Sequence, residues 1–421
     1  VALDVSPLRA SVAYRALLGG QVVSLFGTNM RAVAVPFQVF SITRSPAAVG
    51  LIGLAEVLPL IVFSIVGGPI ADKADRRRVI AMGEVLLFVN SCALAALTFA
   101  GRPSLLWIYL LVAIGSAVTA VEHPARAAMT PQLVSADQIP AAVALRQVVY
   151  QTTNIAGPAA GGLLISGLGG VGWLYIIDAA TFLVSLAALR WVPSAKPDGV
   201  EKRSPEELVT PNAIKEGLSY AFRTPLILSI FLVDLVAMIF GMPRAVFPAL
   251  AQGTFGVGAS GLGLLFAAPS VGAVIGALTT GWVKGVRRSG VAVLMAVAAW
   301  GAAITLAGLS LASFPLTLFW LAVAGAADVI SAVFRGTMLL EATPDHLLGR
   351  VNALNLMVVA GGPRLGDVEA GLVAQVVGAG PSVVLGGIAC LAGALVVGVR
   401  FRPLRAYRTA TRAGEGDGAA S

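Results

Sequence analysis

Apolar stretches of eighteen residues or more recur along the whole 421-residue chain. Each is long enough to cross roughly 30 Å of hydrocarbon as a helix. In hydrocarbon every backbone N–H and C=O must be satisfied within the protein, so only helices and closed barrels span it. Barrel strands would read as short segments of alternating hydrophobicity, and these runs are long and continuous. The expectation is an all-α membrane protein. Composition agrees: 57% of residues are hydrophobic and 12% charged, where a soluble domain carries roughly 25% charged residues.

Twelve transmembrane helices are expected, at about 14–42, 47–71, 79–100, 104–128, 139–167, 172–192, 224–250, 258–283, 289–311, 313–339, 347–378 and 381–400. The first apolar run, from about Ala16, reads as a retained span rather than a cleaved signal. Cys92 and Cys390 fall inside spans and suggest no disulfide framework. The longest polar interruption, PSAKPDGVEKRSPEELVTPNAIKEG at 193–217, reads as a linker closing with an amphipathic helix around Asn212 to Phe222. This divides the chain into a six-helix bundle at 1–192, a linker at 193–223, a second bundle at 224–402 and a tail at 403–421.

The net charge of +8 could suit nucleic acid, but the basic residues sit in short loops. Arg9, Arg15, Lys73, Arg76 to Arg78, Arg190, Lys196, Lys202, Arg203, Lys284, Arg287, Arg288, Arg350 and the arginines from Arg400 to Arg412 fall on one side. Arg44 and Arg102 fall on the other. Positive loops stay in the cytoplasm, so both termini and the linker are expected there, with no nucleic-acid partner.

The two halves echo each other. GLAEVLP (53–59) precedes Arg77-Arg78, and GLLFAAP (263–269) precedes Arg287-Arg288, at a constant offset of 210 residues. Thr130-Pro131 after the fourth span recurs as Thr343-Pro344 after the tenth. Parallel six-helix repeats characterise one class of secondary transporter, with the substrate site between them near the midplane.

Ionisable side chains inside spans are costly and mark function or pairing. The cavity and proton-coupling candidates are Arg31, Glu122, Arg146, Asp178, Asp234, Arg244, Asp328 and Arg335, with Glu56 also deep. Glu84, Arg126, Glu341, Arg364, Asp367 and Glu369 read as nearer an end or in irregular stretches, with Glu84 and Arg126 paired to loop charges. Asp234 and Arg244, ten residues or roughly 15 Å apart on one helix, each need another partner. Arg31 and Glu122 stand out, and Glu122 is either the proton carrier or the partner of Arg31, Arg126 or Arg146. His123 is either a relay beside it or merely hydrogen-bonded. No Walker loop, HExxH or Cys/His ligand set occurs, so neither enzyme activity, a metal nor a cofactor is expected. GGVGW (169–173) and GASGLG (258–263) read as external loops.

Between the second and third spans lies GGPIADKADRRR, with six charges of alternating sign in seven positions from Asp72 to Arg78. It resembles the signature loop of the major facilitator superfamily, Gly-x-x-x-Asp-Arg/Lys-x-Gly-Arg-Arg-Arg/Lys, with Gly68, Asp72, Lys73, Arg76, Arg77 and Arg78 on matching positions. Asp75 replaces the pattern's glycine, a departure common in the enterobactin-exporter and drug–proton antiporter branch. TPQLVSADQIPAAVALR (130–146), SGLGLLFAAPSVGAVIGALTTG (260–281) and TPDHLLGRVNAL (343–354) resemble that branch too. GPAAGG, with Gly157, Pro158, Gly161 and Gly162, resembles the end of its fifth-span antiporter motif, without the upstream glycines.

The resemblance implies the major facilitator fold and a cytoplasmic latch. Asp72 would cap a helix of the opposite half, where the dipole is worth roughly 0.3–1 kcal/mol when exposed. Gly68, Lys73, Asp75, Arg76, Arg77 and Arg78 would complete the latch, with Glu341 or Asp345 as second-half counterparts. It also implies a monomeric, proton-coupled exporter of the bacterial inner membrane, whose partners are protons, lipid and a siderophore or drug-like molecule. A facilitator importing metabolites and a non-transporting sensor are the rival readings.

Overall fold

The computed structural model describes residues 4–101, 103–194 and 211–409, without the side chains of 65–73, 211–216 and 284. Arg102, Lys196, Lys202, Arg203 and the tail from 410 therefore lie outside the described residues. Among the described residues twelve long helices follow one another: α1 (Val12–Thr43), α2 (Pro46–Lys73), α3 (Arg76–Phe99), α4 (Leu105–Leu133), α5 (Ile139–Leu168), α6 (Gly172–Ala188), α7 (Pro225–Phe240), α8 (Gly258–Leu278), α9 (Ser289–Leu309), α10 (Phe314–Ala342), α11 (Asp345–Val377) and α12 (Ala379–Arg400). A helix at Pro211–Arg223 leads into α7. No strand occurs among the described residues.

Nine of the described helices are long and apolar enough to cross a membrane, the seventh when counted with its continuation to Thr254. The remaining three long ones are α1, α5 and α11, which carry Arg31, Arg146 and Arg364 within them. They pack among the others rather than standing alone in lipid. Large side chains such as Leu106, Met295 and Val376 remain exposed on the outside of the bundle, as a surface facing acyl chains requires.

Local chemistry sets the helix ends. The Ser11 hydroxyl accepts from the Tyr14 N–H and caps α1, and Pro46 and Pro225 start α2 and α7 where no N–H is needed. Gly169 ends α5 with φ 73°, a left-handed conformation open to glycine at little cost.

The packing has a six-helix period. In the first half α1 packs on α5 and α6, α3 on α4 and α6, and α2 on α4. In the second α7 packs on α11 and α12, α9 on α10 and α12, and α8 on α10. The halves meet through α2 on α11 and α5 on α8. Each pair maps onto another by adding or subtracting six.

Three expectations change. The seventh span is broken at 241–243 (Gly-Met-Pro) and resumes to Thr254 through short 3₁₀, α and π turns, because Pro243 cannot donate to the helix ladder. The stretch around Arg364 is regular: α11 runs unbroken through Pro363. GASGLG is no loop, since from Gly258 onward it forms the first turns of α8.

Candidate functional site

Charges in the interior gather into four groups. In the first half Arg126 of α4 lies between Glu84 of α3 and Glu122 one turn earlier on α4. All three are buried. Ser185 of α6 donates to Glu84 Oε1 at 2.5 Å, while Glu84 Oε2 has no hydrogen-bond partner. The expected pairing of Glu84 and Arg126 with loop charges is thus replaced by pairing with each other. Packing of α3 on both α4 and α6 brings them together, and sequence separation hid it.

The second half holds a similar group. Arg335 of α10 binds Asp234 of α7 at 2.8 Å and lies 4.0 Å from Asp328, two turns before it. Ser331 accepts from Arg335 at 2.7 Å. Both groups set two carboxylates around one guanidinium, so each carries one unmatched negative charge when its carboxylates are ionised. A third group is balanced. Arg31 of α1 binds Asp178 of α6 at 3.1 Å, and Ser91 of α3 bridges them, accepting from Arg31 and donating to Asp178 at 2.6 Å.

The fourth group crosses between the halves. Glu56 of α2 binds Arg364 of α11 at 2.9 Å. One turn along α11, Asp367 binds Arg244, which sits just after the break in α7, also at 2.9 Å. Glu56 and Arg364 both act electrostatically on Asp367, so the four form an alternating ladder. Arg244 and Asp234 therefore find separate partners, as their spacing requires. Glu56 is ten residues from the start of α2, about 15 Å along it.

Beyond the ladder, toward the face opposite the linker, the halves close. Gly50 of α2 meets the Asp367 carbonyl and Gly371 of α11, and Gly162 of α5 meets Ala259 and Gly263 of α8. Bare backbones allow that approach. Ser45 donates to Gln375 at 2.6 Å and Arg44 to Gln252 at 3.0 Å. Within GPAAGG, Gly157 and Gly161 face Asn29 and Met30 of α1, while the Pro158 carbonyl faces Gly263. The motif seats α5 on α1 and on α8 at once.

Arg146 of α5 makes no ion pair among the described residues, and its charge acts on Tyr14 and His123. Of the signature loop, Gly68, Asp72 and Lys73 lie outside the described side chains. Asp75 caps α3 by accepting from the Arg77 N–H at 3.0 Å and takes Ser194 Oγ at 2.7 Å. Arg78 stands 3.7 Å from it, and Arg76 donates to the Ala128 carbonyl. Glu341 accepts from Tyr407 at 2.8 Å. Asp345 opens α11.

Sequence reasoning did not single out the neutral members, Ser91, Ser185, Gln252 and Gln375. A hydroxyl or amide carries no sign that marks it among dozens like it. The only available signal was their place in spans that also hold a charge.

The model of a transmembrane secretion effector family matches residues 2–413. Enterobactin exporters from Shigella boydii and Escherichia coli O1:K1 are each 30% identical to this chain over 352 residues, covering 84% of it and 83% of their own length. Among solved structures, a bacterial homologue of the human lysosomal transporter Spinster, inward-facing and unoccupied, superposes with a TM-score of 0.72 at 16% identity. It covers 93% of this chain and 98% of its own. A bacterial homologue of the iron transporter ferroportin, inward-facing, gives 0.70 at 15% identity, covering 94% and 98%.

Proposed function

Because this chain belongs to the transmembrane secretion effector family of the major facilitator superfamily, we propose that it exports a catecholate siderophore by proton-coupled antiport. The halves at 1–192 and 224–402, joined by the linker and followed by the 403–421 tail, rock about the cargo between them. The termini lie in the cytoplasm of a bacterium whose inner membrane holds the protein as a monomer. The observation that carries the reading is the 30% identity to enterobactin exporters across most of both chains.

Proton coupling rests on charge count. The Glu84–Arg126–Glu122 and Asp234–Arg335–Asp328 groups each have one carboxylate in excess. A proton on one carboxylate leaves an ion pair with no surplus charge in apolar surroundings, where surplus charge is expensive. The balanced Arg31–Asp178 pair has no such use for a proton. Glu122, with its partner Glu84, is the proton carrier of the first half, and cargo and proton alternate across the membrane as the two faces open in turn. Asp72 latches the cytoplasmic face when the opposite face is open.

The test is secretion by an iron-starved bacterium lacking its own catecholate exporter. Expression of this chain restores intact siderophore in the medium, measured by mass spectrometry, and Asp72→Asn does not. No restoration with the chain present in the membrane overturns the cargo and directs attention to drug efflux. Proton coupling is read separately, as alkalinisation or acidification inside proteoliposomes during cargo movement.

A further inference from the structure

The arginines of the two triads are sealed: side-chain exposure is 9% at Arg126 and 7% at Arg335. Those of the cross-half ladder are not, with 35% at Arg244 and 28% at Arg364. The Nε of Arg244 is buried without a hydrogen-bond partner, so this guanidinium is not saturated by Asp367. Tyr150 of α5 lies within electrostatic reach of Arg244 and is half exposed. Two accessible guanidiniums, an aromatic ring from the facing half and a closed face beyond them describe a binding site as well as a brace. Only one of the ladder's pairs, Glu56–Arg364, ties one half to the other.

We propose that Arg364 and Arg244 form an anion site at the closed end of the space between the halves, and that an aromatic anionic cargo opens that end by taking Arg364 from Glu56. This rests on the reading of the chain as an exporter and specifies its cargo class and trigger. A planar carboxylate or catecholate presents paired oxygens to the guanidinium fork, where Glu56 now meets Arg364 Nε through Oε2. Occupied by cargo, Arg364 no longer holds α2. Near that end, the contacts that then remain among the described residues include glycine packing and the Ser45–Gln375, Arg44–Gln252 and Gln252–Ser41 hydrogen bonds. Cargo binding and release of the far face become one event, and an empty transporter keeps its far face shut.

The experiment uses the full chain in nanodiscs with 2,3-dihydroxybenzoate as the probe. Spin labels on cysteines at Ser104 and Ala312, near the far-face ends of the two halves, follow opening in a background where Cys92 and Cys390 are replaced. The probe binds the parent chain and widens the label distance. Arg364→Gln weakens binding about tenfold or more, the scale of one charged hydrogen bond, and abolishes the response. Glu56→Gln widens the distance without probe and binds it more tightly. The reversed pair Glu56→Arg with Arg364→Glu restores the closed distance but no response, which separates loss of the site from loss of the fold. Parent-like probe affinity in both Arg364→Gln and Arg244→Gln, or a Glu56→Gln chain that stays closed, overturns the proposal. If these variants behave as stated while cells secrete no siderophore, the site stands and the siderophore reading falls. If secretion is restored and Arg364→Gln secretes equally well, the site falls alone.

Discussion

Gly53 and Gly263, 210 residues apart, each lay a bare Cα against a backbone carbonyl of the opposite half, Gly53 at Arg364 and Gly263 at Pro158. The sequence offset that relates the two halves is therefore also the relation between their two contact points. These contacts lie toward the far face, and the polar ties beside them, Ser45–Gln375 and Arg44–Gln252, lie there too. Packing without a side chain between helices is strong when closed and has little to hold it when parted by a side chain's width. That is a suitable material for a face that must open and shut.

Gly162→Leu should hold that face open. The new side chain would meet the Ala259 carbonyl and the backbone of Gly263, where overpacking costs about 1–3 kcal/mol. That cost falls on the closed state alone and moves the equilibrium by roughly one to two orders of magnitude. Labelling of a cysteine placed at Gln375 by an impermeant maleimide, faster in the variant than in the parent, is the expected outcome. Equal rates would mean that α5 and α8 do not seal this face.

Asp75 explains its own departure from the glycine of the family pattern. Its carboxylate caps α3 and holds Ser194 at the start of the linker, so neither contact reaches the second half. Asp75→Ala should cost about 1 kcal/mol, the usual worth of such a cap, and lower the melting temperature in detergent. Asp75→Asn, which still accepts hydrogen bonds, should recover most of it. Asp72→Asn is expected to leave melting unchanged and stop transport, so the two loop aspartates separate into a stability residue and a gating residue.

Tyr407, beyond the end of α12, anchors the tail to Glu341 of α10. Burial first, and then the hydrogen bond to Glu341, push its hydroxyl up to about 12. Below the ordinary tyrosine value of 10.0 it is neutral whether docked or released, and the anchor is intact. Above that value a released tyrosine sheds its proton while a docked one keeps it. Docking therefore weakens as pH rises and is lost as pH passes about 12. The 295 nm phenolate absorbance of the parent minus that of Tyr407→Phe should show a single late transition. A midpoint near that of free tyrosine would mean the tail is undocked.

The long helices were legible because run length and hydropathy are properties of contiguous sequence. So was the kinship of the halves, since a constant offset survives in the order of residues. The break after Phe240 was harder to see, although Gly241 and Pro243 are there to cause it. A proline two residues from a glycine breaks α7, whereas Pro363 after Gly361 and Gly362 leaves α11 whole. The surrounding helices decide which happens. Pairings were least legible of all. Glu56 and Arg364 are 308 residues apart, and nothing short of the packing of α2 on α11 makes them neighbours. The signs of the charges were readable, but the count of charges per cluster, on which the proposed proton coupling turns, was not.

That count makes Arg126 and Glu122 opposite experiments on one cluster. Arg126→Gln leaves Glu84 and Glu122 together without a cation, and breaking a buried pair this way costs about 3–5 kcal/mol. The expected result is poor yield and a lower melting temperature. Glu122→Gln instead removes the surplus charge and keeps Glu84 paired with Arg126. The fold should persist with parent-like melting, because the remaining pair is balanced and Ser185 still donates to Glu84. Transport should then lose its link to protons: cargo runs down its own gradient in proteoliposomes, but an imposed pH gradient no longer drives it uphill. The double variant Arg126→Gln with Glu122→Gln should still be unstable, since Glu84 remains buried and alone. Uphill transport by Glu122→Gln at the parent rate would remove the first-half cluster from the coupling mechanism and leave Asp234 and Asp328 around Arg335 to carry the proton.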